Sequence, residues 1–387
     1  MNKKVTILQD RLVHYRVGLF ERLRKLAAER GIDLFLVHGQ TSPLNKKRDE
    51  EGILDWAVQV KNCWWVVRGH DLLWQPFPRH LENSDLVIML QHNRILSNYR
   101  IVFGRQRCRS KVAFWGHGKN FQSKHPYGVQ ECIKRRLIRT VDWWFTYTQL
   151  SVEVLEKAGF DPSRITCLDN AIDTKIFRSE IGSITTAEVE RLRDQYALEA
   201  DGFIGLFCGS LYVDKRPEIM LEAARIINRQ IPEFHLFVIG DGPSAWMIEK
   251  AAATYNWLHY VGPKKGRDKA AFFRLADVVI NPGAVGLHVL DAFTAGLPMV
   301  TMADSSHGPE ISYLRDGYNG YMTGNSPDDY AKAVIKLYLD KNGYRMICEH
   351  ALLDSEKYTV EQMALNFING IERCLHSGNC KQLFDCK

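Results

Sequence analysis

Short apolar runs recur along this chain, separated by amphipathic stretches of helical length, and that alternation restricts the fold more than any other feature. In the first half the runs are VTILQ, DLFLVHG, WWVVRG, DLVIMLQ, VAFWGHG and WWFTYTQ, with VGLFERLRKLAAERG and ECIKRRLIRTV among the stretches between them. Strands alternating with helices predict parallel sheets covered by helices on both faces. A polar connection follows, TKIFRSEIGSITTAEVERLRDQYAL, in which Thr185 and Glu188 predict a capping box. The alternation then restarts with FIGLFCG, PEIMLEAARIINRQ, HLFVIGDG, AWMIEKAAATYN, LHYVG, DKAAFFRLA, DVVINP, LHVLDAFTAG and PMVTM. The expected fold is α/β, with two doubly wound Rossmann-like domains, residues 1–173 and 174–357, facing across a cleft. Open parallel sheets bind ligands at the carboxyl ends of their strands. The last helical pattern, YTVEQMALNFINGIERCL within 358–387, is long enough to return to the first domain.

At 387 residues the length suits two or three domains, and 45% hydrophobic with 25% charged residues describes an ordinary folded chain. No window approaches the roughly 18 apolar residues of a membrane span. The start, MNKKVTILQD, runs into a strand pattern rather than a signal segment, so a cytoplasmic location is expected. Nine cysteines with no C-x-x-C pair read as reduced thiols. Cys374, Cys380 and Cys386, with His376 between, have spacings unlike a zinc knuckle and read as a loose tail.

Net charge is +6, but its distribution is uneven. Between Arg94 and Arg139 stand twelve Lys/Arg residues opposed only by Glu131, leaving the rest of the chain at −5. So one-sided a block repels itself unless it faces an anionic partner; a merely solvated face usually mixes both signs.

Several chemistries lack their motifs. IGDGPSA at 239–245 is a G-x-G-x-x-A after a strand, yet the next strand, LHYVG, ends near Gly262 without the acid a dinucleotide site needs, so the segment reads as a turn. The chain contains no P-loop, no G-x-S-x-G and no D-x-D.

A more coherent set lies in the second half. FCGSLYVDKRPEIML places Gly209 and Ser210 after a buried strand, with Lys215 and Arg216 just before a helix opening at Pro217. Cations beside a helix N-terminus hold a diphosphate without metal; the other reading is an exposed Lys-Arg pair. In GAVGLHVLDAFTAG the N–H groups of Gly286 and Leu287 are placed to face an anion or sugar hydroxyls. Asp291, one turn into that helix, is within reach of a ribose diol or is a solvent-facing acid. Glu310 follows at another strand-to-helix turn, and in FWGHGKN His117 stands between two glycines past a strand end, either structural or open to the cleft.

The order of these pieces resembles the retaining nucleotide-sugar glycosyltransferases of family 4, which have the GT-B fold; the likeness is strongest over residues 164–325. LDNAIDTKIF resembles that family's P-N-G-V-D-x-x-x-F, and GSLYVDKRPEIML its G-R-L-x-x-E-K-G-x-x-x-L. FVIGDGP and LADVVINP are similar to I-V-G-D-G-P and A-D-V-x-x-x-P-S. GAVGLHVLDAFTAGLPMV lies over E-G-F-G-x-x-x-L-E-A-M-A-x-G-x-P-V-V, and HGPEISYLRDGYNGYM over G-G-x-x-E-x-x-x-D-G-x-x-G. The resemblance implies that Lys215 binds the donor diphosphate, that Asp291 takes the place of the ribose-binding Glu, and that His117 touches the transferred sugar. Glu310 occupies the position of the acid in the following turn.

Four departures stand out. Gly283 replaces the first Glu of the E-x7-E pair, Ser210 replaces the Arg that shares the diphosphate, and Arg216 stands where the family has Gly. The N-terminal glycine-rich turn is replaced by DRLVHYRVGLF, with Arg16 and Gly18 as candidates for its acceptor- or phosphate-side role. The implied activity is transfer of a sugar from a nucleoside diphosphate donor to a glycan or lipid-linked acceptor in bacterial surface polysaccharide or glycolipid synthesis. No cofactor and no metal are implied. Lys134, Arg135, Arg136 and Arg139, with Trp143 and Trp144 close behind, predict peripheral contact with an anionic inner membrane face rather than nucleic acid. The alternatives are a sugar-nucleotide 2-epimerase on the same fold and a catalytically degenerate GT-B binding protein.

Overall fold

The computed structural model describes residues 2–45, 51–67, 69–104, 110–119 and 134–378. The chain divides into two compact units, Met1–Ile172 with Val360–Lys387, and Asp173–Thr359.

The first unit holds β1 (Lys3–Gln9), β2 (Ile32–His38), β3 (Val58–Gln59), β4 (Cys63–Val67), β5 (His70–Trp74), β6 (Leu86–Leu90), β7 (Lys111–Gly116), β8 (Trp143–Thr146) and β9 (Ile165–Cys167). Seven of these form one sheet in the order β3-β2-β1-β6-β7-β8-β9, parallel throughout. Every residue of β6, β7 and β8 is buried, which is why these strands read as unbroken apolar runs. The C-terminal helix, Val360–His376, belongs to this unit: it packs beside helix Val17–Glu29, and Phe367 stacks on Phe145 at 4.7 Å.

WWVVRG departs from the expected pattern. Its strand, β4, stays out of the parallel sheet and pairs antiparallel with β5 as a two-stranded hairpin. Alternation alone does not distinguish the two settings, because a short apolar strand suits either.

The second unit holds β10 (Phe203–Cys208), β11 (Phe234–Ile239), β12 (Leu258–Gly262), β13 (Val278–Ile280), β14 (Met299–Met302) and β15 (Gly320–Thr323). They form a parallel sheet in the order β12-β11-β10-β13-β14-β15. Helix Pro217–Gln230 turns Met220, Ala223, Ala224 and Ile227 inward against Phe234, Leu236 and Val238. The polar connection forms helices Lys175–Ser183 and Thr186–Gln195, the second opened by the Thr185–Glu188 capping box. Strand order reverses between β10 and β13, so their carboxyl ends form this unit's switch-point crevice.

The basic block is less one-sided in space than along the chain. Arg94 bonds Asp10 at 2.6 Å and Asp71 at 3.0 Å, and Arg100 lies 3.9 Å from Glu82. Lys111 caps helix Val360–His376 through the carbonyls of Cys374 (2.6 Å), Leu375 (3.2 Å) and Ser377. Arg139 donates to the Ala158 carbonyl at 2.8 Å. Residues 105–109, Lys124 and Glu131 lie outside the described residues, as do Cys380 and Cys386. The expected membrane role of Trp143 and Trp144 is corrected: they are 2% and 0% exposed inside β8, where Trp143 Nε1 donates to Thr166 Oγ1 and Trp144 Nε1 to the Ile138 carbonyl. Rings so enclosed meet no bilayer. No described helix is long and apolar enough to cross a membrane.

Candidate functional site

In the second unit the chain leaves β10 through Gly209 and exposed Ser210, then turns through Val213–Lys215 into helix Pro217–Gln230. The joint is Arg216, whose backbone is left-handed at φ 53°, ψ 53°. That conformation suits glycine and strains other residues, which accounts for the Gly at this place in the resembling motif. The Arg216 guanidinium reaches Asn325 Oδ1 at 2.5 Å and also bonds the Asp304 carbonyl. It is therefore engaged by the loops beyond β14 and β15. The Gly209 N–H is likewise committed, to the Ile239 carbonyl at 3.0 Å.

Lys215 is 5% exposed and folds back beneath the loop that follows β13. Its ammonium donates to the Ala284 carbonyl and lies 3.4 Å from Asn281 Oδ1 and 3.5 Å from His288 Nε2. Burial lowers it from the usual lysine range to about 8. His288 is held well below its ordinary value by burial first, then by Lys215 and Lys269, so its imidazole is neutral.

Gly283 explains the missing carboxylate geometrically. A Cβ there would stand 2.2 Å from the Asp214 carbonyl oxygen and 2.3 Å from Lys215 Cα. The loop lies directly on the Val213–Lys215 turn, with the Ala284 N–H donating to that same Asp214 oxygen at 2.8 Å. His307 fastens the other side. The Val285 N–H donates to His307 Nδ1 at 3.1 Å, which fixes the proton on Nε2, 2.8 Å from the Met302 carbonyl. With both flanks held, the N–H groups of Gly286, Leu287 and His288 have no acceptor among the described residues. Three adjacent free donors beside a buried ammonium make a cradle for an anion.

Asp291 is neither solvent-facing nor free. It is 9% exposed and pairs with Lys269 at 2.8 Å. Burial works against the Lys269 charge, but Asp291, together with Cys208 and Glu180, more than offsets it and raises the group. Lys269 also lies 4.3 Å over the Phe177 ring. Half-buried Cys208, pushed up to about 12 chiefly by desolvation, also feels Lys269, Asp291 and Lys215, which places all three around the end of β10. Glu310 is 6% exposed in the turn Pro309–Tyr313, its Oε2 close enough to Gly308 that a Cβ there would meet it at 2.7 Å. Sequence reasoning missed Lys269, His288, His307 and Asn281; only His307, beside a glycine after a strand, stood in a visible pattern.

In the first unit, His117 follows the carboxyl end of β7, its ring 4.2 Å from that of Tyr147. Burial, then His92, Lys134 and Arg16, lower it to about 3, so it is neutral at physiological pH. Arg16 is 6% exposed, donates to Asn170 Oδ1 at 2.5 Å, and lies 5.5 Å over Trp115 and 5.8 Å over Tyr147. Gly18 sits in helix Val17–Glu29, where its carbonyl accepts from Arg22 at 2.9 Å. Lys134 is half-buried, while Arg135 and Arg136 are exposed. The described residues contain no group of three or more His, Cys, Asp or Glu placed to hold a metal.

Residues 202–340 match the family model described as Glycosyl transferases group 1. The chain is 22% identical over 205 residues to alpha-monoglucosyldiacylglycerol synthase of Acholeplasma laidlawii, covering 51% of this chain and 50% of that one. It is 26% identical over 204 residues to D-inositol 3-phosphate glycosyltransferase of Salinispora arenicola, covering 49% and 45%. The chain thus spans about half the length of these curated relatives. In fold it is similar to Alr3699/HepE of Anabaena, solved in complex with UDP, at a TM-score of 0.66 and 14% identity over 96% of this chain and 100% of that one.

Proposed function

From a GT-B fold whose second unit carries a Glycosyl transferases group 1 domain, we propose that this protein is a nucleotide-sugar glycosyltransferase. UDP bound in the similar fold of Alr3699/HepE supports a UDP-sugar as the donor. The observation that carries the reading is the cradle at 286–288 above Lys215. The diphosphate lies on the free N–H groups of Gly286, Leu287 and His288, with Lys215 neutralising the charge that grows as the glycosidic bond breaks. Asp291 holds the ribose diol, exchanging Lys269 for hydroxyl donors. His117, neutral, donates to or accepts from the transferred sugar.

Transfer retains the anomeric configuration and uses neither metal nor cofactor. The departing phosphate oxygen takes the acceptor proton, so no dedicated base is required. The acceptor, a glycan or a lipid-linked sugar, binds the first unit. Peripheral association of that unit with the inner face of the plasma membrane accords with the glycolipid synthase among the relatives.

Thermal unfolding with UDP and a panel of UDP-sugars tests donor binding, since a ligand of the native state raises the midpoint. Lys215→Ala loses that rise; a rise that survives the substitution overturns the assignment. Incubation with donor alone separates transferase from epimerase, because only an epimerase converts the donor without an acceptor.

A further inference from the structure

The β4–β5 hairpin is largely apolar on both faces, but only one of them is packed against the unit. Side chains alternate along each strand, and the register pairs Cys63 with Trp74, Trp65 with Leu72 and Val67 with His70. The other face, Trp64, Val66, Asp71 and Leu73, is largely held by the unit. Leu73 is fully buried and its N–H donates to the Arg94 carbonyl at 2.8 Å. Asp71 bonds Arg94, whose guanidinium lies 5.6 Å over the Trp64 ring. The outward face should then be polar, as in antiparallel pairs with one side in water. Instead its exposed members are Cys63, Trp65 and Val67, with half-buried Leu72 and Trp74 completing the row and His70 as its one polar member. Trp65 is 49% exposed and Val67 50%, and neighbouring Val66 is 50% exposed as well.

At the base of this row, Trp74 also lines a cavity of about 450 Å³ walled by Phe77, Val87, Ile101 and Val112, with Arg100 among its polar groups. Val87 and Val112 lie near the amino ends of β6 and β7, whereas His117 stands past the carboxyl end of β7. The apolar strip is thus separate from the residue assigned to the sugar.

The charge of the unit indicates what covers it. The first unit contains 31 Lys/Arg against 20 Asp/Glu, the second 20 against 25. Lys61 and His70, beside or within the row, are exposed. A Trp-led apolar row on a cationic body matches the boundary of an anionic bilayer, where tryptophan sits at headgroup level and each nearby cation adds about 1 kcal/mol. We propose that the outward face of the hairpin Cys63–Trp74 inserts into the headgroup–acyl boundary of an anionic membrane, led by Trp65 and Val67. This rests on the reading that the first unit works at a membrane, and it supplies the apolar contact that buried Trp143 and Trp144 do not.

The full chain is floated with vesicles of phosphatidylcholine alone and of phosphatidylcholine mixed with phosphatidylglycerol. The wild type is expected to float with the anionic vesicles. Trp65→Glu combined with Val67→Glu is expected to weaken that binding about tenfold or more while keeping the wild-type unfolding midpoint. Unchanged binding by the double variant overturns the hairpin assignment and leaves the membrane reading standing; failure of the wild type to bind anionic vesicles overturns both. A dimer lost in the double variant, with vesicle binding intact, gives the surface to a second copy and overturns the proposal. Quenching by bromine-labelled lipid needs only a mild change: Trp65→Phe should lose a distinct part of the wild-type signal, and equal quenching counts against insertion.

Discussion

Lys215 is the residue whose position was most legible in the sequence and whose state was least so. A Lys before a Pro-initiated helix announces itself, but its enclosure under Ala284 and Asn281 depends on a loop some seventy positions away. That enclosure has a consequence for pH. An anion favours the protonated amine, whose value in the unliganded fold is about 8. Affinity for a UDP-sugar, which has no terminal phosphate titrating near neutrality, is therefore flat below pH 8 and weakens by up to about tenfold per unit above it; calorimetric titration across pH checks this, and Lys215→Ala removes the bend. Gly283 yields a second prediction. Gly283→Glu rebuilds the resembling motif on paper, yet its Cβ meets backbone at 2.2 Å rather than a yielding side chain. The substitution should cost about 1–3 kcal/mol in urea denaturation and should not strengthen donor binding. His307→Ala leaves the Val285 N–H without its acceptor, with an expected loss of about 1–3 kcal/mol and a weaker UDP shift.

At the scale of elements, periodicity identified most strands of both sheets because parallel strands buried on both faces are continuously apolar. It did not separate β4 from them, since the outward face of the hairpin is as apolar as a core strand. Nor did it reveal why Lys111 opens β7. Its ammonium, 8% exposed, gathers the last carbonyls of helix Val360–His376, where a cation opposes the negative end of the helix dipole. Lys111→Met should remove about 1 kcal/mol and speed amide exchange over residues 371–377, with little change in helix Val17–Glu29.

Across the whole molecule, several histidines are folded in their neutral form. His259 lies at about 4 through burial and then His235, whose Nδ1 is 3.0 Å from its Nε2. A histidine that binds its proton near 6.5 when unfolded but near 4 when folded adds no pH dependence above 6.5. Below it, the unfolded chain takes up the proton first and stability falls until about pH 4. The unfolding midpoint should decline over that window, and His259→Gln should flatten the decline. The amino-acid sequence by itself determined the α/β class, the two doubly wound halves and the order of motifs on which the proposed nucleotide-sugar site rests, because periodicity and turn chemistry act between near neighbours. Only the tertiary structure decided the partners: Lys269 on Asp291, His307 under Val285, backbone in the space of a carboxylate at Gly283, and Trp143 and Trp144 inside the sheet. Burial, and the charge state it imposes, depend on residues brought together from distant parts of the chain, and local sequence carries no record of that proximity.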